Sequence, residues 1–352
     1  MNPAPAIHKQ GTPASLGYKM PAEWEPHEAT WLTWPKNLIT WPEEDMRDRV
    51  EQAYVTAIRA LLPGEKVRLM VDDASTAEKV RFFLAGAEAA CNLDIRIVPT
   101  VDSWVRDYGP TFVKKSDGTK AFCKWIFNAW GGKYEDLMQD NEVFKNPELV
   151  PHPFFDAGFV LEGGSIEVNG EGTCLTSEQC LLNENRNPSM DRTQIEQKLR
   201  DYLGVSQILW LKEGIVGDDT DGHIDDIARF TADNVIVAAF EKNARDPNYK
   251  ILNENWEMLQ GMRTPSGGRW DLVKLPMPVP VIAEGEPLPA SYANFYIANQ
   301  TVLVPVFEDP HDKQALGILG ELFPKKKIVS VPARDMVYGL GTIHCLSQQE
   351  PL

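Results

Sequence analysis

Four glycine-bordered segments hold most of the side chains able to do chemistry in this 352-residue chain. They are Trp104-Val-Arg-Asp107-Tyr-Gly109, Leu161-Glu162-Gly-Gly-Ser165, Asp221-Gly-His223-Ile-Asp225 and Gly339-Leu-Gly-Thr-Ile-His-Cys345. Glycine lets backbone approach closely, and each segment adds a polar residue. Brought together they would supply a thiol, an imidazole and three carboxylates. Each member also has a plain structural reading. A cysteine near a C-terminus can be a buried, inert thiol, and Asp107 and Glu162 can satisfy loop amides beside their glycines. His223 and Asp225, two apart, share a face on extended backbone, which suits proton transfer. His344, adjacent to Cys345, would then point to the opposite face and is expected to be structural or to pack elsewhere.

Paired carboxylates are natural partners of a planar guanidinium, which offers five donors in a fixed fork. Its carbon is a poor electrophile until the cation is held and the leaving nitrogen is protonated. A thiolate beside the bound cation is favoured, because the positive charge lowers the thiol pKa. The set therefore fits a deimination. Asp107 and Asp225 would clamp the guanidinium and Cys345 would attack its central carbon. His223 would protonate the departing ammonia and then activate water, with Glu162 orienting it. Metal-dependent hydrolysis is the sharpest alternative, since Asp221-Gly-His223-Ile-Asp225 has the D-x-H-x-D spacing of dimanganese sites. The sequence has no second D-x-H-x-D to complete such a pair. Asp219-x-Asp221-Gly222 fails as a calcium loop, because Gly217 and Ala228 fall where carboxylates are required. Cys174 and Cys180 lack histidine partners for zinc. No metal and no cofactor is expected.

Charge narrows the partner. The chain carries 35 Lys and Arg against 51 Asp and Glu, a net charge of −16. That balance argues against nucleic acid or an anionic membrane and leaves room for a small cationic ligand. No apolar run approaches the roughly 18 residues of a membrane span, and the first twenty residues lack a signal-peptide core. A cytoplasmic protein is expected. Cys91, Cys123, Cys174, Cys180 and Cys345 form an odd set that fits reduced thiols better than a disulfide framework. A homodimer is the default assembly.

The elements that must position these groups recur along the chain. Hairpins are expected at 109–127 around Ser116-Asp117-Gly118, at 165–176 around Asn169-Gly170, at 227–240 around Asp233-Asn234 and at 294–307 around Asn299-Gln300. A fifth, less legible opening lies at 28–34. Apolar residues at helical spacing follow most of them: Met46 to Leu61, Ile195 to Leu203, Leu252 to Leu259, and Ala315 to Leu322. Thr40-Trp-Pro-Glu43 has the form of a capping box for the first. Short strands are expected at 67–71, 208–211, 272–275 and 328–331, with another at 94–100. No helix is evident between Tyr134 and Pro153. Successive hairpins start 56, 62 and 67 residues apart. The chain thus reads as roughly five ββαβ units closing into a five-bladed α/β propeller, against the plainer option of one mixed α/β sheet. Residues 1–19 read as an N-terminal arm outside the core, and 20–352 as one catalytic domain. The proline-rich stretch 261–293 reads as an ordered excursion over the site.

At these residues the sequence resembles the agmatine deiminase family of the guanidino-group-modifying (pentein) superfamily. The likeness runs through MPAEWEPHEATWLTWP at 20–35, SWVRDYGPTF at 103–112, NAWGGKY at 128–134 and EGGSIEVNGEGTCLTSEQCLLN at 162–183. It continues through GHIDDIARF at 222–230, ANFYIANQTVLVP at 293–305 and IHCLSQQEP at 343–351. The resemblance implies the pentein propeller and a cofactor-free thiol mechanism that hydrolyses agmatine to N-carbamoylputrescine and ammonia. It puts the nucleophile on Cys345, the acid/base on His223, the supporting acid on Glu162 and the guanidinium-binding acids on Asp107 and Asp225. Trp104 and Trp130 fall in segments where the family lines its pocket. Members are also described as bacterial-type peptidylarginine deiminases. Two departures stand out: Gly339-Leu340-Gly341-Thr342 replaces a run of three glycines and an asparagine, and Asp226 stands where many relatives have Asn. Arg106, Arg186, Arg229 and Arg334 are candidates to meet a carboxylate if the substrate carries one.

Overall fold

The computed structural model describes residues 11–146 and 148–352, so residues 1–10 of the expected arm lie outside the described residues. It is an α/β structure with six sheets among those residues, five of which repeat one plan. In each, an antiparallel pair is extended by a third strand parallel to the second. Thr111–Lys114 pairs with Lys120–Ile126, which takes Phe154–Val160 in parallel. The same plan joins Glu167–Val168, Thr173–Ser177 and Gln207–Leu211. It recurs in Ala228–Ala232, Val235–Phe240 and Asp271–Pro276, and in Tyr296–Ile297, Thr301–Val306 and Lys327–Pro332. The opening at 28–34 is not a local hairpin. Its strand, His27–Thr33, pairs antiparallel with the C-terminal Ser347–Pro351 and parallel with Lys66–Val71, so the two ends of the chain share a sheet.

Parallel partners need a crossover, and helices supply it where the apolar period is 3.6. Arg192–Leu203 is the clearest case. Asp191 and Gln194 form a reciprocal capping box, Ile195, Leu199 and Leu203 are buried, and Gly204 ends the helix at φ 69°. Glu44–Leu61, Asn248–Gly261 and Asp312–Leu322 fall where the period places them. The expected capping box at Thr40 does not form. Glu43 is the N-cap and caps with no side-chain bond, while the Thr40 hydroxyl donates to Asp102. Between Tyr134 and Pro153 there is a 3₁₀ helix, Glu135–Lys145. One α-helix, Ala74–Phe83, has no counterpart in the periodicity, because it buries little more than Ala77 and Val80. The stretch 261–293 is ordered and carries a small ladder, Ile282–Ala283 with Glu286–Pro287. None of its residues lines the cavity described below, although Glu284 accepts from Tyr338, which does. No helix among the described residues is long and apolar enough to cross a membrane.

Candidate active site

The first strand of every repeated sheet is entered through a tight segment that carries a polar side chain. Asp107 lies in the one-turn helix Val105–Tyr108, ahead of Thr111–Lys114. Glu162 caps the turn Gly163–Ser165, ahead of Glu167–Val168. His223 caps the turn Ile224–Asp226, which carries Asp225, ahead of Ala228–Ala232. Cys345 sits in a turn just before Ser347–Pro351, and Asn294 holds the same place before Tyr296–Ile297. Four of these segments are the ones singled out by residue type. The fifth, with Asn294, carries no acid, thiol or imidazole and so escaped notice, although its position in the repeat marks it.

A cavity of about 600 Å³ opens at these segments, with Trp104, Asp107, Trp130 and Cys345 in its wall. His223, Glu162 and Asp225 do not line it and are wholly buried beside it. Cys345 Sγ lies 3.5 Å from Asp225 Oδ2. The imidazole of His223 lies between carboxylates, Nδ1 at 3.8 Å from Asp107 Oδ1 and Nε2 at 4.0 Å from Glu162 Oε2. Those separations exceed a hydrogen bond. Both imidazole nitrogens, Asp225 Oδ1, Asp226 Oδ1 and Glu162 Oε2 are buried polar atoms with no hydrogen-bond partner among the described residues. Gly164 is the reason these groups can approach one another. A Cβ there would sit 2.5 Å from His223 Nδ1, 3.0 Å from Asp107 Oδ1 and 3.1 Å from Asp225 Oδ2.

Both tryptophans are held by the site. Trp130 Nε1 donates to Asp107 Oδ2 at 2.9 Å, from a residue at φ 53°. Left-handed backbone at a bulky residue costs on the order of 1 kcal/mol and persists where surroundings fix it. Trp104 presents its ring to Gly339 and Gly341, whose Cβ atoms would come within 2.9 and 2.6 Å of it. The glycines of this loop therefore lay backbone on the indole and deliver Cys345. Leu340 between them lines the cavity at φ 69°.

Burial dominates the electrostatics. It pushes the Cys345 thiol well above its ordinary value, and Asp225, Asp226 and Asp107 push the same way. Burial also brings His223 down to about 3, so the imidazole is neutral. Asp107 is raised well above the carboxylate range by burial and by repulsion from Asp225 and Glu162. Asp226 is raised well above it too, by burial and Asp225. Asp225 is the exception: against the cost of burial, His344 holds it below its ordinary value.

The support behind Asp225 was invisible in the sequence. His344 Nδ1 contacts Asp225 Oδ2 at 2.7 Å and Nε2 contacts Glu23 Oε2 at 2.8 Å. Glu23 in turn takes Arg229 at 2.9 Å and Arg106 at 3.4 Å. Glu162 takes Arg186 Nε at 2.7 Å, and Arg186 also binds Asp221 Oδ2 at 2.7 Å. Three of the four arginines offered for a substrate carboxylate are therefore committed to buried acids. Arg334 is directed at Phe307 O, and Lys36, paired with Asp72, is the one cation lining the cavity among the described residues. The D-x-H-x-D reading does not assemble. Close sets of metal-binding side chains are Glu162, Cys180 and His223, and Asp225, Asp226 and Cys345, with Asp221 in neither.

Known proteins carry the same arrangement of chain. The agmatine deiminase of Stutzerimonas stutzeri (strain A1501) is 39% identical, over 97% of each chain. The structure of agmatine deiminase of Enterococcus faecalis superposes with a TM-score of 0.91 at 34% identity, covering 98% of this chain and 99% of that one. That of C. jejuni agmatine deiminase with substrate bound superposes with a TM-score of 0.83 at 33% identity, covering 95% and 96%. The family model for Porphyromonas-type peptidyl-arginine deiminase matches residues 19–351, and the chain belongs to that family.

Proposed function

We propose that the chain hydrolyses agmatine to N-carbamoylputrescine and ammonia through a covalent intermediate on Cys345. One observation carries the reading. A buried thiol adjoins Asp225, within a group of carboxylates and an imidazole whose free acceptor atoms match the donors of a guanidinium. Asp107 and Asp225 take the cation, whose charge then favours the thiolate. The thiol proton passes to neutral His223, and sulfur adds to the guanidinium carbon. The imidazolium returns its proton to the leaving nitrogen, ammonia departs, and an S-linked amidine remains. Water adds while giving a proton to His223; the C–S bond breaks, and the carbamoyl product leaves as sulfur recovers its proton. Glu162 stabilises the imidazolium stage, and Trp104 and Trp130 wall the reacting group. Agmatine rather than arginine is supported by the lining, whose Asp102, Glu135 and Asp136 suit an amine tail.

The same reading takes the five repeated sheets as blades of a pentein propeller, supported by their common plan and by the pairing of the chain ends. It takes 20–352 as one domain, in a cytoplasmic enzyme whose five cysteines are free. It takes a homodimer as the assembly.

Product analysis by mass spectrometry after incubation with agmatine, without added metal, tests the reading. N-carbamoylputrescine with ammonia is expected. Putrescine with urea would overturn it, and turnover of arginine peptides alone would make the chain a peptidylarginine deiminase. The pH profile follows from the same groups. Asp107 must be ionised to hold the cation, so kcat/KM falls as pH drops through its raised value in the free enzyme. Bound substrate favours the ionised form, so the limb in kcat lies at lower pH. Gly164→Ala is expected to lower kcat/KM at least about 100-fold, with a stability cost of about 1–3 kcal/mol from overpacking. Steady-state kinetics with a melting curve measures both, and a change under about threefold would show that the three side chains can yield.

A further inference from the structure

We infer that Asn294 is a catalytic residue of this reaction, its side-chain amide holding the Cys345 sulfur as thiolate, and that Thr342 positions that amide. The inference rests on the reading of Cys345 as nucleophile. Asn294 is wholly buried, and its Nδ2 donates to Cys345 Sγ at 3.0 Å. Its Oδ1 accepts from Thr342 Oγ1 at 2.6 Å, from His344 N at 3.0 Å and from Cys345 N at 3.4 Å. Backbone N–H groups can only donate, so the oxygen end must face them and the NH₂ end must face sulfur. A flip would set NH₂ against two buried N–H groups, which costs the desolvation of each.

Chemistry gives this fixed donor its value. A neutral thiol accepts hydrogen bonds weakly, whereas a thiolate accepts strongly, so the amide stabilises one form over the other. It opposes burial and the carboxylates, all of which favour the thiol. The guanidinium supplies positive charge only once bound, while Asn294 acts in the free enzyme as well. Thr342 is itself buried, and its hydroxyl has Asn294 Oδ1 as acceptor. The loop that delivers Cys345 thus also aims a donor at the amide.

Alkylation of Cys345 by iodoacetamide, followed by peptide mass spectrometry across neutral and alkaline pH, reads the thiolate directly. A C–S bond forms, iodide leaves, and the thiol proton is lost to solvent. Thr342→Val, which keeps shape but loses the hydroxyl, is expected to slow alkylation about tenfold at fixed pH, a shift of about one unit. It should lower kcat by a similar factor with KM within about threefold. Thr342→Ser should restore both. Asn294→Asp, which cannot donate and adds charge, should slow alkylation and turnover at least about 100-fold. Unchanged alkylation in Thr342→Val, or equal slowing in the valine and serine variants, would overturn the positioning role, and wild-type alkylation in folded Asn294→Asp would overturn the thiolate role. If Asn294→Asp does not fold, the Thr342 pair decides. Turnover surviving in Cys345→Ser would instead remove the nucleophile reading, independently of the alkylation result.

Discussion

Replacing Cys345 with serine is expected to lower kcat at least about 10³-fold while leaving agmatine affinity within a few-fold. The sulfur already stands at an unfavourable position, buried and facing Asp225, Asp226 and Asp107, all of which oppose its ionisation. A thiol can still ionise there once a guanidinium places its charge beside it and Asn294 donates to it. A hydroxyl starts several pKa units higher, and the same contacts cannot close that gap. Affinity survives because the clamp is made by carboxylates rather than by sulfur. Kinetics measures the first quantity and calorimetry with agmatine the second. Mass spectrometry of wild-type enzyme quenched during turnover should show Cys345 carrying the amidine. A serine variant within tenfold of wild type would show that sulfur does not form the bond.

Asp225→Asn is expected to cut kcat/KM about 10³-fold and, in the same variant, to speed alkylation of Cys345 in substrate-free enzyme about tenfold. The two effects have opposite signs because Asp225 does two things. It offers a ready negative charge to the guanidinium, since His344 holds it ionised in advance. That charge is also first among those opposing the thiolate. Asp107→Asn should cost less, about 10–100-fold, because Asp107 is raised well above the carboxylate range and part of its charge must be created on binding. Parallel kinetics and alkylation on the two variants decides. An Asp107 loss equal to that of Asp225, or no gain in alkylation, would show that the two acids are not divided in this way.

Metal-dependent chemistry at Asp221-Gly-His223-Ile-Asp225 had the right spacing and fails on geometry. Arg186 and Lys133 hold Asp221, and Asp225 turns to His344. Spacing along the chain gave three ligands; the turn Ile224–Asp226 sends them to different partners.

Much of this protein was legible one residue at a time. Hairpin turns, helix stripes and the parallel strands after them depend on neighbours within a few positions, which is why four hairpins and four helices fall where period and turn chemistry place them. The glycine-bordered polar segments were legible for the same reason, since close backbone approach demands glycine locally. The opening at 28–34 was not, because its antiparallel partner lies at the other end of the chain. Adjacent residues on a strand face opposite ways, yet residues 343–346 form a turn, so His344 and Cys345 both reach Asp225. Glu23, Arg186 and Asn294 became part of the site only through contacts separated by 24 to 321 residues. Which side chains can do chemistry was therefore determined locally by sequence. Which acid is ionised, which arginine is spent and what holds the sulfur were decided by tertiary structure, because burial and charge at a point are sums over whatever the fold brings there.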